Sequence, residues 1–62
     1  MVRFFVTPEE LNNDQLILSG ENAQHAKVLR LKVDEQVLVC DGAGREALCQ
    51  IVSAAGEWVL DR

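Results

Sequence analysis

The chain has 62 residues, enough for one domain, and a domain of this size buries only roughly 60% of the surface that its unfolded chain exposes, so its core is small. Ten acidic against six basic residues give a net charge of -4, which argues against a wholesale polyanion binder. Two cysteines are too few for a disulfide framework, and no apolar run approaches the roughly 20 residues of a membrane span, so a cytoplasmic protein with reduced thiols and no membrane contact is expected.

Val2 to Val6 is apolar, β-branched and aromatic, which predicts a strand ending before Pro8. Alternation puts Val2, Phe4 and Val6 on one face and Arg3 with Phe5 on the other. The polar "TPEELNND" reads as a loop or one helical turn, and "QLILS" as a second strand. A short helix is expected from about Glu21 to Leu29, with Ser19 or Gly20 as N-cap and Glu21 favourably placed in the first turn. Its apolar face is Ala23, Ala26 and Leu29, and Val28 falls off that face. "QVLVC", "REALCQIVSA" and "EWVLD" read as three more strands, the first two joined by the glycine turn "DGAG". Cys40 and Cys49 flank that turn and could face each other as small apolar side chains. Five short strands with one small helix predict a mainly β, OB-like barrel, because closure removes sheet edges that so small a sheet could not otherwise protect. The chain stops at "VLDR" directly after its last strand, so it is expected to be part of a longer polypeptide.

Enzymatic motifs are missing: there is no P-loop, G-x-G-x-x-G, H-E-x-x-H or G-x-S-x-G. Neither cysteine has a nearby histidine to act as base, and Glu9 with Glu10 have no reason to converge on a substrate. The informative feature is the distribution of charge. Residues 22 to 33 hold His25, Lys27, Arg30 and Lys32 with no acid among them. Cations near a helix C-terminus also complement its dipole, so the cluster is ambiguous by itself.

The stretches "RFFV", "LSGENAQHAKVLRLK" and "VLVCDGAGREALCQI", in this order and covering roughly residues 3 to 51, resemble the N-terminal domain of the ribosomal RNA small subunit methyltransferase E family. The resemblance implies a single PUA-like RNA-binding domain over residues 1 to 62. Catalysis would lie in a C-terminal SPOUT domain that holds S-adenosylmethionine, dimerises, and methylates N3 of a uridine in 16S ribosomal RNA. This chain alone would then have no catalytic residue and no cofactor. Its partners would be 16S ribosomal RNA or the small-subunit particle and its own C-terminal domain, the full-length protein being a homodimer. Arg3, His25 and Arg30 match the family's R-F, H and V-L-R positions, Lys27 a commonly basic slot, and Asp41, Gly42 and Gly44 its D-G-x-G turn. With Lys32 and Arg45 these cations are the candidate RNA-binding residues. One departure is Asp34-Glu35 where the family usually has Gly-Asp, and aspartate is tolerable but poorer if that turn requires positive φ.

Phosphate and shape contacts are expected to dominate over base reading, because Phe4, Phe5 and Trp58 are the only aromatic residues. The competing expectation is a protein-interaction or dimerisation module without an RNA role, in which Arg3 is a solubilising edge charge or the partner of an acid in the "PEE" loop.

Overall fold

The computed structural model describes all residues, Met1 to Arg62. In chain order the elements are β1 (Arg3–Phe5), α1 (Pro8–Leu11), β2 (Gln15–Leu18), α2 (Gly20–Val28), β3 (Gln36–Cys40), β4 (Glu46–Ser53) and β5 (Trp58–Asp61). The strands form one sheet in the order β1-β3-β4-β5-β2, with β1 parallel to β3 and every other pair antiparallel. The fold is a mainly β half-barrel of the PUA/OB-like kind.

The five strands lie where the alternation places them, but closure is not how their edges are protected. β1 and β2 are the end strands and do not bond to each other. The free side of β1 is met by α2, whose Asn22 side chain donates to the Phe5 carbonyl oxygen at 2.9 Å. Near β2, the Arg62 backbone N–H donates to the Asp14 carbonyl oxygen at 3.2 Å, and the Arg62 guanidinium to that of Leu11. The helix over the β1 edge blunts the unpaired backbone that would template aggregation, while the Arg62 contacts extend the β2–β5 pairing and tie it to α1.

Of the two readings of "TPEELNND", a loop or one helical turn, the structure has the helical turn, α1. Its cause is local: Thr7 and Glu10 form a reciprocal capping box, the Glu10 N–H donating to Thr7 Oγ1 at 3.2 Å and the Thr7 N–H to Glu10 Oε1 at 3.0 Å. Pro8, at the first helical position, lacks only an N–H that would be unsatisfied there anyway. The turn buries Leu11.

The core is continuous. Phe4 from β1, Leu16 and Leu18 from β2, Val37 and Val39 from β3, Cys49 and Ile51 from β4 and Leu60 from β5 share it with Leu11, Ala26 and Leu31. Register corrects one expectation, because Cys49 sits opposite Val37 while Cys40 sits opposite Glu46. The cysteines therefore do not face each other; Cys49 is in the core and Cys40 lies on the outer side of β3. At the far end of β4, Ile51 pairs with Leu60 and Ser53 with Val59, leaving Val52 as the extra residue of a β-bulge that increases the local twist.

Helix α2 starts as expected, with Ser19 at the N-cap, but its end differs. Leu29, expected on the apolar face, is 42% exposed. The helix closes with a Schellman turn, in which the Leu31 N–H donates to the Ala26 carbonyl oxygen at 3.3 Å and the Arg30 N–H to that of Lys27 at 3.1 Å. The reversal swings Leu31 into the core in place of Leu29. No helix of the molecule is long and apolar enough to cross a membrane.

Candidate nucleic-acid interface

The Schellman turn decides how the basic segment is displayed. Arg30 occupies its left-handed position at φ 56°, where glycine is the usual residue, so the chain carries a strained cation at the apex of the turn. Lys27, Arg30 and Lys32 are all exposed and form no ion pair within the chain. Lys32 is held through its backbone, its N–H donating to Glu35 Oε1 at 2.9 Å. The following turn takes Asp34 to φ 78°, the conformation in which aspartate is a poorer residue than glycine, and the Asp34 N–H donates to the Ile51 carbonyl oxygen at 2.8 Å. His25 is exposed and makes an edge contact with the Phe4 ring, the centroids 5.6 Å apart and the planes at 71°. It thus joins α2 to β1 while leaving its other side open.

Arg3 lies elsewhere. It stands on the outer face of β1 with Phe5, whereas His25 meets Phe4 on the inner side. Its guanidinium pairs with Glu46 of β4 at 3.4 Å, across the intervening β3, and not with an acid of the "PEE" loop. His25, Lys27, Arg30 and Lys32 thus belong to one segment, and Arg3 to a separate cleft.

Arg45 is engaged three ways. Its Nε donates to Asp41 Oδ2 at 2.7 Å, Nη1 to Asn12 Oδ1 at 2.9 Å and Nη2 to the Pro8 carbonyl oxygen at 3.0 Å. Asp41 also accepts the backbone N–H groups of Ala43 at 2.7 Å and Arg45 at 3.1 Å. The Arg45 bond, together with that from Ala43, holds the Asp41 carboxyl below the usual carboxylate range. Asp41 and Arg45 therefore brace the "DGAG" turn and fasten it to α1.

Between Arg3, Phe5 and Glu46 is a shallow cleft of about 210 Å³, with Cys40 at its floor and Gly42 and Gly44 at its rim. The cross-strand register explains it: Phe5, Cys40 and Glu46 are successive neighbours on three strands, and the short middle side chain leaves a hollow between two long ones. The Cys40 thiol donates to Glu46 Oε2 at 3.6 Å. Burial pushes the Cys40 thiol above its ordinary value, reinforced by the Glu46 carboxylate, so it stays protonated and is no nucleophile. Phe5, 61% exposed, and Glu46 were not among the residues singled out from sequence. The available signal was the shared outer face of Arg3 and Phe5.

The comparisons with known proteins agree with this architecture. No curated protein matches the chain. Among solved structures, a predicted RNA methyltransferase from Thermotoga maritima shares 24% identity at a TM-score of 0.76, over 98% of this chain and 27% of its own. A hypothetical protein shares 22% identity at a TM-score of 0.78, over 95% of this chain and 26% of its own. The chain thus spans about a quarter of the length of each, and at these identities the likeness speaks for the fold. The family model of an RNA methyltransferase PUA domain matches residues 18–57, from the end of β2 to the residue before β5. Covering more than half of the residues, that match shows that the chain belongs to the RNA methyltransferase PUA domain family.

Proposed function

We propose that this chain is the RNA-recognition domain of an S-adenosylmethionine-dependent methyltransferase that modifies N3 of a uridine in 16S ribosomal RNA. The observation that carries this reading is the family match lying over a segment whose cations, Lys27, Arg30 and Lys32, are exposed and free of ion pairs. In a chain of net charge -4, such a segment marks one face for a polyanion while the acidic remainder repels it from the others. Arginine forms planar, bidentate contacts to phosphate and lysine a point contact, so the mixture both orients and holds a backbone. His25 adds a donor or a stacking surface for an unpaired base. Arg3, compensated by Glu46, contributes from the separate cleft, and Arg45 acts by keeping the hairpin in place.

The methyl donor belongs to another part of the parent, a C-terminal SPOUT domain that also dimerises it in the cytoplasm. This chain's cleft, about 210 Å³, falls below the roughly 300 Å³ at which pockets begin to enclose drug-sized ligands, so its residues do not fit the cofactor.

Binding of a single-stranded ribosomal RNA fragment by the full-length protein, measured across salt concentrations, tests the reading. With three free cations the slope of log affinity on log salt is expected to be about -2, at roughly -0.7 per phosphate. Replacing Lys27, Arg30 and Lys32 with alanine should remove most of it. An unchanged affinity and slope would sink the proposal in favour of a protein-interaction module, for which the exposed Phe5 and Leu48 on the outer sheet face would be the surface.

A further inference from the structure

The cleft on the outer face has a chemistry different from that of the basic segment. Its charges are matched in pairs: Arg3 with Glu46 at 3.4 Å and Arg45 with Asp41 at 2.7 Å. A phosphate placed there would meet the Glu46 carboxylate, so the cleft is no anion site. Its volume of about 210 Å³ is the room of roughly seven water molecules, which suits one planar group and not a dinucleotide. One wall is the exposed Phe5 ring, and Arg3 beside it offers a second flat surface for stacking. Opposite stands Glu46, whose Oε2 takes both Arg3 and the Cys40 thiol while Oε1 has no partner within the chain. At the rim, Gly42 and Gly44 hold φ of 76° and 99°, and open space surrounds the position of a Cβ at each. The mouth is therefore low and accessible to a sugar and its backbone.

We propose that this cleft takes a single unstacked guanine of the bound RNA, with its face on Phe5 and its N1–H and N2 amino group donating to the Glu46 carboxylate. Guanine is selected because it alone presents two adjacent donors on its Watson–Crick edge. Adenine and cytosine offer one amino group beside an acceptor, and uracil one N–H between two carbonyl oxygens, so each would set an acceptor against the carboxylate. Arg3, paired with Glu46 at 3.4 Å, holds that carboxylate in position. The inference rests on the RNA-recognition reading and assigns to it a base preference that the basic segment cannot supply, since phosphate contacts carry no sequence information.

The test is a fluorescence-anisotropy titration of the full-length protein with uridine decamers carrying one central guanosine, inosine or adenosine. Guanosine is expected to bind about tenfold more tightly than adenosine, with inosine between them because it keeps N1–H and lacks the N2 amino group. Glu46→Gln should bring the guanosine-to-adenosine ratio close to one. Phe5→Ala should weaken all three decamers by a factor on the order of ten, through lost stacking. Arg30→Ala with Lys32→Ala should weaken all three and leave the ratio as it was, which separates the cleft from the basic segment.

A ratio of one in the unsubstituted protein, or a preference that survives Glu46→Gln, overturns the guanine site while salt-dependent binding leaves RNA recognition standing. No affinity for any decamer overturns both. A Phe5→Ala variant that alters oligomeric state with RNA affinity intact also overturns the site, by giving this face to a protein partner. Should Glu46→Gln fail to fold by circular dichroism, guanosine and adenosine monophosphate titrated into the unsubstituted protein decide the matter by NMR. Amide shifts at Phe5, Cys40 and Glu46 with the first alone support the site, and equal shifts or none overturn it.

Discussion

Arg30 ties the display of the basic segment to a backbone conformation that disfavours it, and two substitutions at that position separate the contributions. In Arg30→Ala the side-chain charge is lost while the left-handed backbone, φ 56°, is still imposed on a residue with a Cβ. That conformation costs roughly 1–2 kcal/mol for an L-residue. Arg30→Gly loses the same charge and removes that cost, at the expense of about 0.5–1 kcal/mol of glycine's extra freedom in the unfolded chain. The difference leaves glycine more stable than alanine by about 0.7 kcal/mol, which for a domain of this size raises the midpoint by about 3–6 °C. In a helix interior the order would be reversed, with glycine the worse by about 0.5–1 kcal/mol, so the sign alone decides. Thermal melts followed by circular dichroism measure it. RNA titrations across salt concentrations should show both variants equally weakened, with the slope smaller in magnitude by about 0.7. An alanine variant that melts at or above the glycine variant would refute the Schellman geometry. Unequal salt slopes would refute the assignment of Arg30 as a phosphate contact.

Other outcomes follow from the hairpin and the thiols. Arg45→Ala should lower the melting midpoint by several degrees by unfastening the hairpin from Pro8 and Asn12, with the RNA salt slope unchanged. Arg45→Lys should restore little, because an ammonium group cannot reproduce the guanidinium's fork of donors; a loss of salt slope with the midpoint intact would instead make Arg45 a phosphate ligand. The depressed Asp41 carboxyl contributes stability that is fully present above the ordinary carboxylate range and is lost as pH falls from that range through its lowered folded value. In melts against pH, the acid-side decline should therefore be shallower in Arg45→Ala than in the unsubstituted protein, the two midpoints converging at low pH, and a constant difference between them at all pH would contradict this. Cys40 and Cys49, both buried with their thiols pushed up by burial, should resist a maleimide at pH 7.5 until the chain is unfolded in guanidinium. Stoichiometric labelling of the native protein within minutes would contradict that burial.

The legibility of the elements follows how local their causes are. All five strands were visible in alternation and in the positions of Pro8 and the glycine turn, because each depends on residues adjacent in sequence. Whether Asp34 needs a positive φ was left open by the glycine usual at its place in the resembling family, and the structure gives it one, φ 78°. The four-residue α1 was half-legible, since Thr7, Pro8 and Glu10 spell a capping box within one turn. Leu29 was misplaced because period alone cannot say where a helix stops; the turn at Arg30 gives the buried position to Leu31. The edges were misread for a related reason. Closure is one remedy for exposed strands, and covering β1 with Asn22 of α2 is another that local pattern does not distinguish.

By itself the sequence determined which residues are apolar on which face, where the chain turns, and that its cations concentrate between residues 22 and 33 in an otherwise acidic chain. Only the tertiary structure decided what each charged side chain meets. Pairing β1 in parallel with β3, across more than 30 residues of chain, sets Phe5 opposite Cys40, and β4 sets Glu46 opposite Cys40 on the other side, which makes a cleft of three otherwise ordinary positions. The return of the β3–β4 hairpin to α1 commits Arg45 to Asp41, Asn12 and Pro8. Strand alternation is a property of consecutive residues, whereas an ion pair across a sheet depends on which distant strand lies next to which.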